Sequence, residues 1–206
     1  EMASQGAKVL QTRSVEMAMR HNVVVQVLSS FSDTPGTLLV KEEEIVEQKM
    51  VTGIAFSRDE ARISLTKIAN IPGMSATLFG PLAEAGINVD MIVQNVTEEG
   101  KDTDITFTVP KADLERALAA VEKVKGKLKY HSIHADRNVA KVSIIGVGMR
   151  SHAGIAQNMF KTLAEKNINI SVISTSEIKI SVLIAEEYTE LAVRTLHSAF
   201  ELDKAA

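Results

Sequence analysis

The sequence predicts an α+β protein: two copies of one βαββαβ unit packed as a pseudo-symmetric pair, preceded by the end of a different, α/β domain. Three observations predict it. The stretch Phe79-Gly-Pro-Leu82-Ala83-Glu84-Ala-Gly-Ile87-Asn88-Val89 recurs 81 positions later as Phe160-Lys-Thr-Leu163-Ala164-Glu165-Lys-Asn-Ile168-Asn169-Ile170. A glycine stands a few residues ahead of each copy, Gly73 and Gly154. Strand-like alternation and helix-like stripes follow in the same order around both. A repeat of about 80 residues is too long for a solenoid unit and matches a small domain. Two such domains in one chain imply binding sites between them.

The elements follow in order. From Val9 to Ala18-Met19 the apolar residues recur at helical spacing, and Val23 to Leu28 is β-branched enough for a strand. Ser29 to Thr37, with Pro35 and Gly36, is loop composition, and the charge run from Lys41 to Lys49 reads as a solvated connector. The first repeat opens with the alternating strand Ala61 to Ile68. Asn70-Ile-Pro72-Gly73 breaks it, and Met74 to Ala85 carries a helical stripe through Leu78, Phe79 and Leu82, closed by Gly86. Strands are predicted at Ile87–Val96 and Asp102–Val109, a helix at Lys111–Lys125 and a fourth strand within Lys127–His134. That order is the split βαβ, ferredoxin-like arrangement. The second repeat gives a strand at Ala140–Ile145, a helix from Ile155 to Lys166, strands at Ile168–Ser174 and Ile178–Ala185, and a helix at Glu187–Phe200. It lacks a fourth strand, whereas Met50–Phe56 is strand-like and has no partner in the first unit. The expected organisation is therefore an end-of-domain and connector segment over 1–49, a first unit over 58–136, and a discontinuous second unit made of 50–57 plus 137–206.

Composition narrows the function classes. With 45% hydrophobic and 24% charged residues, the 206-residue chain has material for two small cores. A net charge of −3 without a long basic run lacks the footprint of a nucleic-acid or anionic-membrane binder, and 4% aromatic content leaves no stacking platform for RNA. The absence of cysteine removes disulfides, thiolate metal sites and Cys nucleophiles, and fits a cytoplasmic protein. No apolar run approaches a membrane span and no signal peptide is seen. Glu1 already lies in helix-forming sequence, so an upstream portion is expected.

Chemistry concentrates at the βα turns. First-turn N–H groups of a helix have no intrahelical acceptor, and with the helix dipole they attract a carboxylate. Gly73 permits close approach, and Ser75 adds a hydroxyl. Asn88, Asp90 and Gln94 sit at even spacing on the next strand, so they are expected on one face. Together these parts would hold an amino acid, its carboxylate on the helix and its amine on Asp90 or on carbonyl oxygens; exposed strand positions without a ligand would read the same way. The loop from Gly146 to Gly154 does not have dinucleotide-fingerprint spacing, and no acidic residue ends the following strand. His131 and His134 fall on opposite faces of a strand, which opposes a metal site. No catalytic constellation stands out.

Several motifs in fixed order carry a resemblance. Asn88-Val-Asp90-Met91-Ile-Val-Gln94-Asn95-Val96, Ser174-Thr-Ser176-Glu177-Ile-Lys-Ile-Ser181-Val-Leu183 and Gly148-Met-Arg-Ser151-His152 resemble the regulatory region of aspartate kinase, with its paired ACT domains. Gly6-Ala-Lys8-Val-Leu10 and Arg13-Ser-Val-Glu16 resemble the closing segment of that enzyme's amino-acid-kinase domain, and the likeness covers essentially the whole chain. The family phosphorylates the β-carboxylate of aspartate with ATP, the first step toward lysine, threonine, methionine and diaminopimelate. Its ACT pairs bind lysine, threonine or both as feedback inhibitors, often across a dimer interface. The resemblance implies an effector pocket of Asn70, Gly73, Met74, Ser75, Asn88, Val89, Asp90 and Gln94, with Ile155, Ala156, Asn169, Ile170 and Thr175 from the second repeat. Asn70 stands where many relatives have Asp before x-Pro-Gly, which should weaken capture of an ammonium group. It further implies no catalytic residue, metal or cofactor in this chain, since the catalytic lysine, the glycine-rich motif and the aspartate-binding residues are not in it. Lys8 at the nucleotide-site margin cannot catalyse phosphoryl transfer alone. ATP and Mg would belong to the complete enzyme. The expected partners are L-lysine and/or L-threonine, a second copy through the ACT domains, and a catalytic subunit or kinase domain. The rival reading is an ACT-type dimerisation module without a ligand.

Overall fold

The computed structural model describes residues 2–6, 9–40, 50–146 and 154–203. Lys8, the charge run over 41–49 and the loop with Gly148, Arg150, Ser151 and His152 lie outside the described residues. The early segment holds helices α1 (Met2–Gln5) and α2 (Thr12–Arg20) and an antiparallel ribbon of β1 (Val25–Val27) and β2 (Thr37–Leu39).

The remaining strands are β3 (Gly53–Ala69), β4 (Asp90–Val96), β5 (Asp102–Val109), β6 (Ser132–Ile145), β7 (Val172–Thr175) and β8 (Lys179–Ala185). They form one antiparallel sheet in the order β4-β5-β3-β6-β8-β7. The helices are α3 (Met74–Glu84), α4 (Leu114–Lys123), α5 (Lys125–Leu128), α6 (Ile155–Ala164) and α7 (Thr189–Ala199).

Two predicted breaks do not occur. Met50–Phe56 and Ala61–Ile68 belong to one 17-residue strand, and Ala140–Ile145 continues the strand that starts at Ser132. The intervening Ser57-Arg-Asp-Glu60 and Asp136-Arg-Asn138 are polar, yet contain neither Gly nor Pro. Register shifts between Ser57 and Glu60, and between Glu60 and Arg62, absorb the irregularity as bulges without ending the strand. At the other end of β6 the strand starts later than predicted. Lys125–Leu128 is instead a helical turn, stopped by Lys129 at φ 51°.

Register explains how two repeats share one sheet. Gly53–Ser57 pair with Ile145–Lys141, whereas Arg62–Thr66 pair with Asp136–Ser132, and β5 joins β3 only from Ala61 onward. Each long strand therefore serves the first repeat with one half and the second with the other. Gly146 sits where the chain crosses this pairing: a Cβ there would meet the Met50 carbonyl oxygen at 2.2 Å.

Each repeat has its own core on the helical face of the sheet. In the first, Ile63, Leu65, Ile105 and Phe107 meet Leu78, Leu82 and Val121, and Phe79 stands edge-on to Phe107 at 5.2 Å. In the second, Val142, Ile144, Val182 and Ile184 meet Met159, Leu163 and Leu196. Each such side chain contributes about 1.5–3 kcal/mol by leaving water. A third, smaller cluster of Met91, Val139, Val172 and Leu183 lies on the opposite face. It joins the two outermost strands, β4 and β7, so the sheet curls until its edges approach each other.

Candidate effector-binding site

Both repeats present the same helix start. Gly73 caps α3 at φ 85° and Gly154 caps α6 at φ 101°, neither helix has a side-chain cap, and no atom lies within 4 Å of where a Cβ would stand on either glycine. Glycine adopts this conformation without strain, and with no side chain capping either start, first-turn N–H groups other than that of Met74 are left for a ligand. Ser75 is exposed beside them. Met74 and Ile155 are 5% and 6% exposed and belong to the two cores, so their side chains are not available to an effector. The Met74 N–H is also taken, donating to the Ile71 carbonyl at 3.2 Å. Asn70 donates from Nδ2 to the Gly100 carbonyl at 3.0 Å, which ties the turn to the β4–β5 loop. A small cavity of about 110 Å³ at this turn is lined by Pro72, Gly73, Thr77 and Lys127. Lys127 escaped the sequence reading because its segment was assigned to a strand; α5 carries it beside the start of α3, where it adds a cation for a carboxylate.

Strand β4 departs from expectation. Asn88 and Val89 precede it, and the pairing shifts between Asp90 and Val93, with Met91 at φ 47°. Asp90 lies opposite Thr108, and Gln94 lies opposite Ile105, a helical-face core residue. Cross-strand partners share a face, so this bulge puts Asp90 and Gln94 on opposite faces despite their even spacing. Their positions along the strand differ as well. Val96 lies level with Thr103 beside the α3 start, while Asp90 lies level with Thr108 and Arg62, at the other end of the seven-residue strand. At about 3.3 Å per residue that separation is roughly 20 Å. One amino acid cannot put its carboxylate on α3 and its amine on Asp90 of the same copy. The site residues fall instead into outer groups, Asn70, Gly73, Ser75 and Gln94 with their equivalents Ala156 and Thr175, and inner groups, Asn88, Val89 and Asp90 with Asn169 and Ile170.

Comparison with known proteins places this architecture. The ACT-domain family profile matches residues 63–124 and 142–200. An aspartate kinase of Stutzerimonas stutzeri is 52% identical over 207 residues, covering 100% of this chain and 50% of the relative. A Helicobacter pylori aspartokinase is 49% identical, covering 99% of this chain and 51% of its own length. The crystal structure of the ligand-free regulatory subunit of aspartate kinase from Thermus thermophilus is 42% identical with a TM-score of 0.70, covering 74% of this chain and 99% of that subunit. The chain belongs to the aspartate kinase family. It carries that family's regulatory region, a pair of ACT domains of ferredoxin-like fold, and spans about half the length of the curated relatives it matches.

At the joint between the two ACT repeats, this regulatory region buries an ion cluster that the sequence reading did not find. Lys141 Nζ donates to Glu60 Oε1 at 2.8 Å and to Asp90 Oδ2 at 2.6 Å, and the Lys141 and Glu60 side chains are only 8% and 9% exposed. Asp90 is half exposed, and its Oδ1 accepts the Met91 N–H at 2.7 Å. Thr108 faces Asp90 from β5, but its buried hydroxyl has no partner among the described residues. The carboxylate is thus committed to Lys141 rather than to its sheet neighbour. Burial raises the Asp90 carboxyl, but the hydrogen bonds from Lys141 and Met91 outweigh it, leaving Asp90 below its ordinary 3.8. Burial likewise lowers the Lys141 ammonium, and the two carboxylates more than reverse it, leaving Lys141 above its ordinary 10.5.

The signs give a pH dependence. The depressed Asp90 contributes stability that is present above pH 3.8 and lost as pH falls through its folded value; the raised Lys141 contributes stability that is present below pH 10.5 and lost as pH rises through its folded value. Thermal melts across pH are expected to show both losses in the native chain and to show them reduced in the Glu60→Met/Lys141→Met double variant. Equal profiles would contradict the assignment. Among the described residues no group of three His, Cys, Asp or Glu could hold a metal ion, and no helix is long and apolar enough to cross a membrane.

Proposed function

We propose that the chain is the amino-acid-sensing part of a cytoplasmic aspartate kinase, binding L-lysine and/or L-threonine to inhibit phosphorylation of L-aspartate by ATP. The observation that carries this is the duplicated, glycine-capped and otherwise uncapped helix start at Gly73 and Gly154, the first of them with Lys127 beside it. An α-carboxylate is the ligand such a start suits. The reading divides the chain into the end of the kinase domain with its connector (1–49), a first ACT domain (58–136) and a discontinuous second one (50–57 plus 137–206). Exposed apolar side chains at Met19, Val24, Leu28, Phe31 and Leu38 support a docking face on the early segment for the rest of a complete enzyme, which would also bind ATP and Mg. This chain alone catalyses nothing.

Because the outer and inner groups are too far apart within one copy, the effector site is completed by a second: an outer group of one chain against an inner group of the other. Ile92 and Ile173, equivalent positions on the edge strands β4 and β7, are exposed and available to such a contact. The connector from Phe31 to Lys49 transmits the resulting dimer geometry to the kinase domain. Binding can inhibit only through its difference in affinity for two arrangements, typically about 1–3 kcal/mol. Sedimentation velocity tests the scheme. Lysine or threonine is expected to shift the chain toward dimer, and the chain should form no aspartate-dependent ADP. Dimerisation indifferent to every amino acid would favour the ligand-free dimerisation module, and measurable turnover would refute the non-catalytic assignment.

A further inference from the structure

Glu60 and Lys141 occupy equivalent positions of the two repeats, 81 residues apart. They meet where β3 and β6 change from serving one repeat to serving the other, so this buried ion pair sits close to the pseudo-two-fold axis. Asp90, the third member, opens β4 directly after Asn88 and Val89 and holds the bulge through the Met91 N–H. The second repeat has no counterpart. Ser171 stands at the position equivalent to Asp90, and its N–H donates to the Leu183 carbonyl at 2.8 Å. An ion pair therefore holds the start of β4, and among the described residues it has no equivalent at the start of β7, which is held by the Ser171 backbone bond and the packing of Val172.

We infer that Lys141, held by Glu60, is a positioning residue for the first repeat's inner effector group: through Asp90 it sets the backbone of Asn88 and Val89. On this account Asp90 is removed from direct ammonium capture. Its carboxylate is spent on Lys141 and the Met91 N–H, and it lies on the face opposite Gln94. The two inner groups are then unequal. The group at Asn88 is braced by an ion pair, which spares a ligand part of the ordering cost, whereas the group at Asn169 relies on its backbone bonds and the packing of Ile168 and Ile170.

The inference rests on the sensor reading for its effect on affinity, but not for its effect on β4. The native chain, Lys141→Arg and Glu60→Met/Lys141→Met are compared by hydrogen exchange and by titration with lysine and threonine. In the double variant, which keeps the joint packed without the Glu60–Lys141 ion pair, exchange over 88–96 is expected to rise at least tenfold while exchange over 169–175 and the melting temperature stay near native. Amino-acid affinity at the site that uses Asn88 falls at least tenfold. Lys141→Arg is expected to restore both readouts to within about threefold, because a guanidinium reaches the same two carboxylates. Unchanged exchange over 88–96 in the double variant overturns the inference whether or not any amino acid binds. The expected exchange rise in the double variant, with no amino-acid binding to the native chain, refutes the sensor reading and leaves the positioning role on β4 standing.

Discussion

Lys141→Met is expected to lower stability by about 3–5 kcal/mol, since it leaves Glu60 as a buried carboxylate without its cation. Little of that loss comes from Asp90, which is 54% exposed and recovers its hydration. The same reasoning makes the pair more tolerant than either member. Two well-packed apolar side chains in place of a buried ion pair are often neutral, so Glu60→Met/Lys141→Met should return to within about 1–2 kcal/mol of native. Urea unfolding followed by circular dichroism measures both. A single variant as stable as the native chain would mean that water reaches Glu60 and that the cluster is not buried in solution.

The second large effect concerns inhibition. In the complete enzyme, Gln94→Ala and Ser75→Leu are each expected to weaken amino-acid inhibition by about 5–150-fold, the range of ordinary allosteric coupling, while leaving uninhibited turnover near normal. Both side chains are exposed in the outer group, Ser75 in the first turn of α3 and Gln94 on the neighbouring edge strand. Neither contributes to the core, so the effect separates recognition from folding. Leucine at position 75 would block the open N–H groups sterically, and alanine at 94 would remove an amide without filling space. Unchanged inhibition constants in both variants would take these residues out of the site.

The doubled unit was legible because helix and strand periods write themselves into apolar spacing. Leu78 and Leu82 mark α3, and the strand at Asp102–Val109 has the limits its alternation predicts. What was not legible depended on pairing. The merging of 50–57 with 61–68 into β3 needs the β6 register, because a bulge is a property of two strands and not of one. The same limitation misplaced Asp90 and Gln94, whose even spacing implies a common face only in an unbulged strand. The Glu60–Lys141–Asp90 cluster was hidden for a related reason. Its members are 30 to 81 residues apart, and each alone resembles an ordinary surface charge. Lys127 was lost to a wrong element type, since Lys125-Gly-Lys127-Leu has neither strand nor helix character of its own.

The central claim is that this aspartate kinase region senses an amino acid, and calorimetric titration of the purified chain with lysine and with threonine, each alone and then in the presence of the other, tests it most directly. Saturable binding of at least one, with the second titration reporting whether the lysine and threonine sites couple, is the predicted result. No heat and no saturation with either would contradict it.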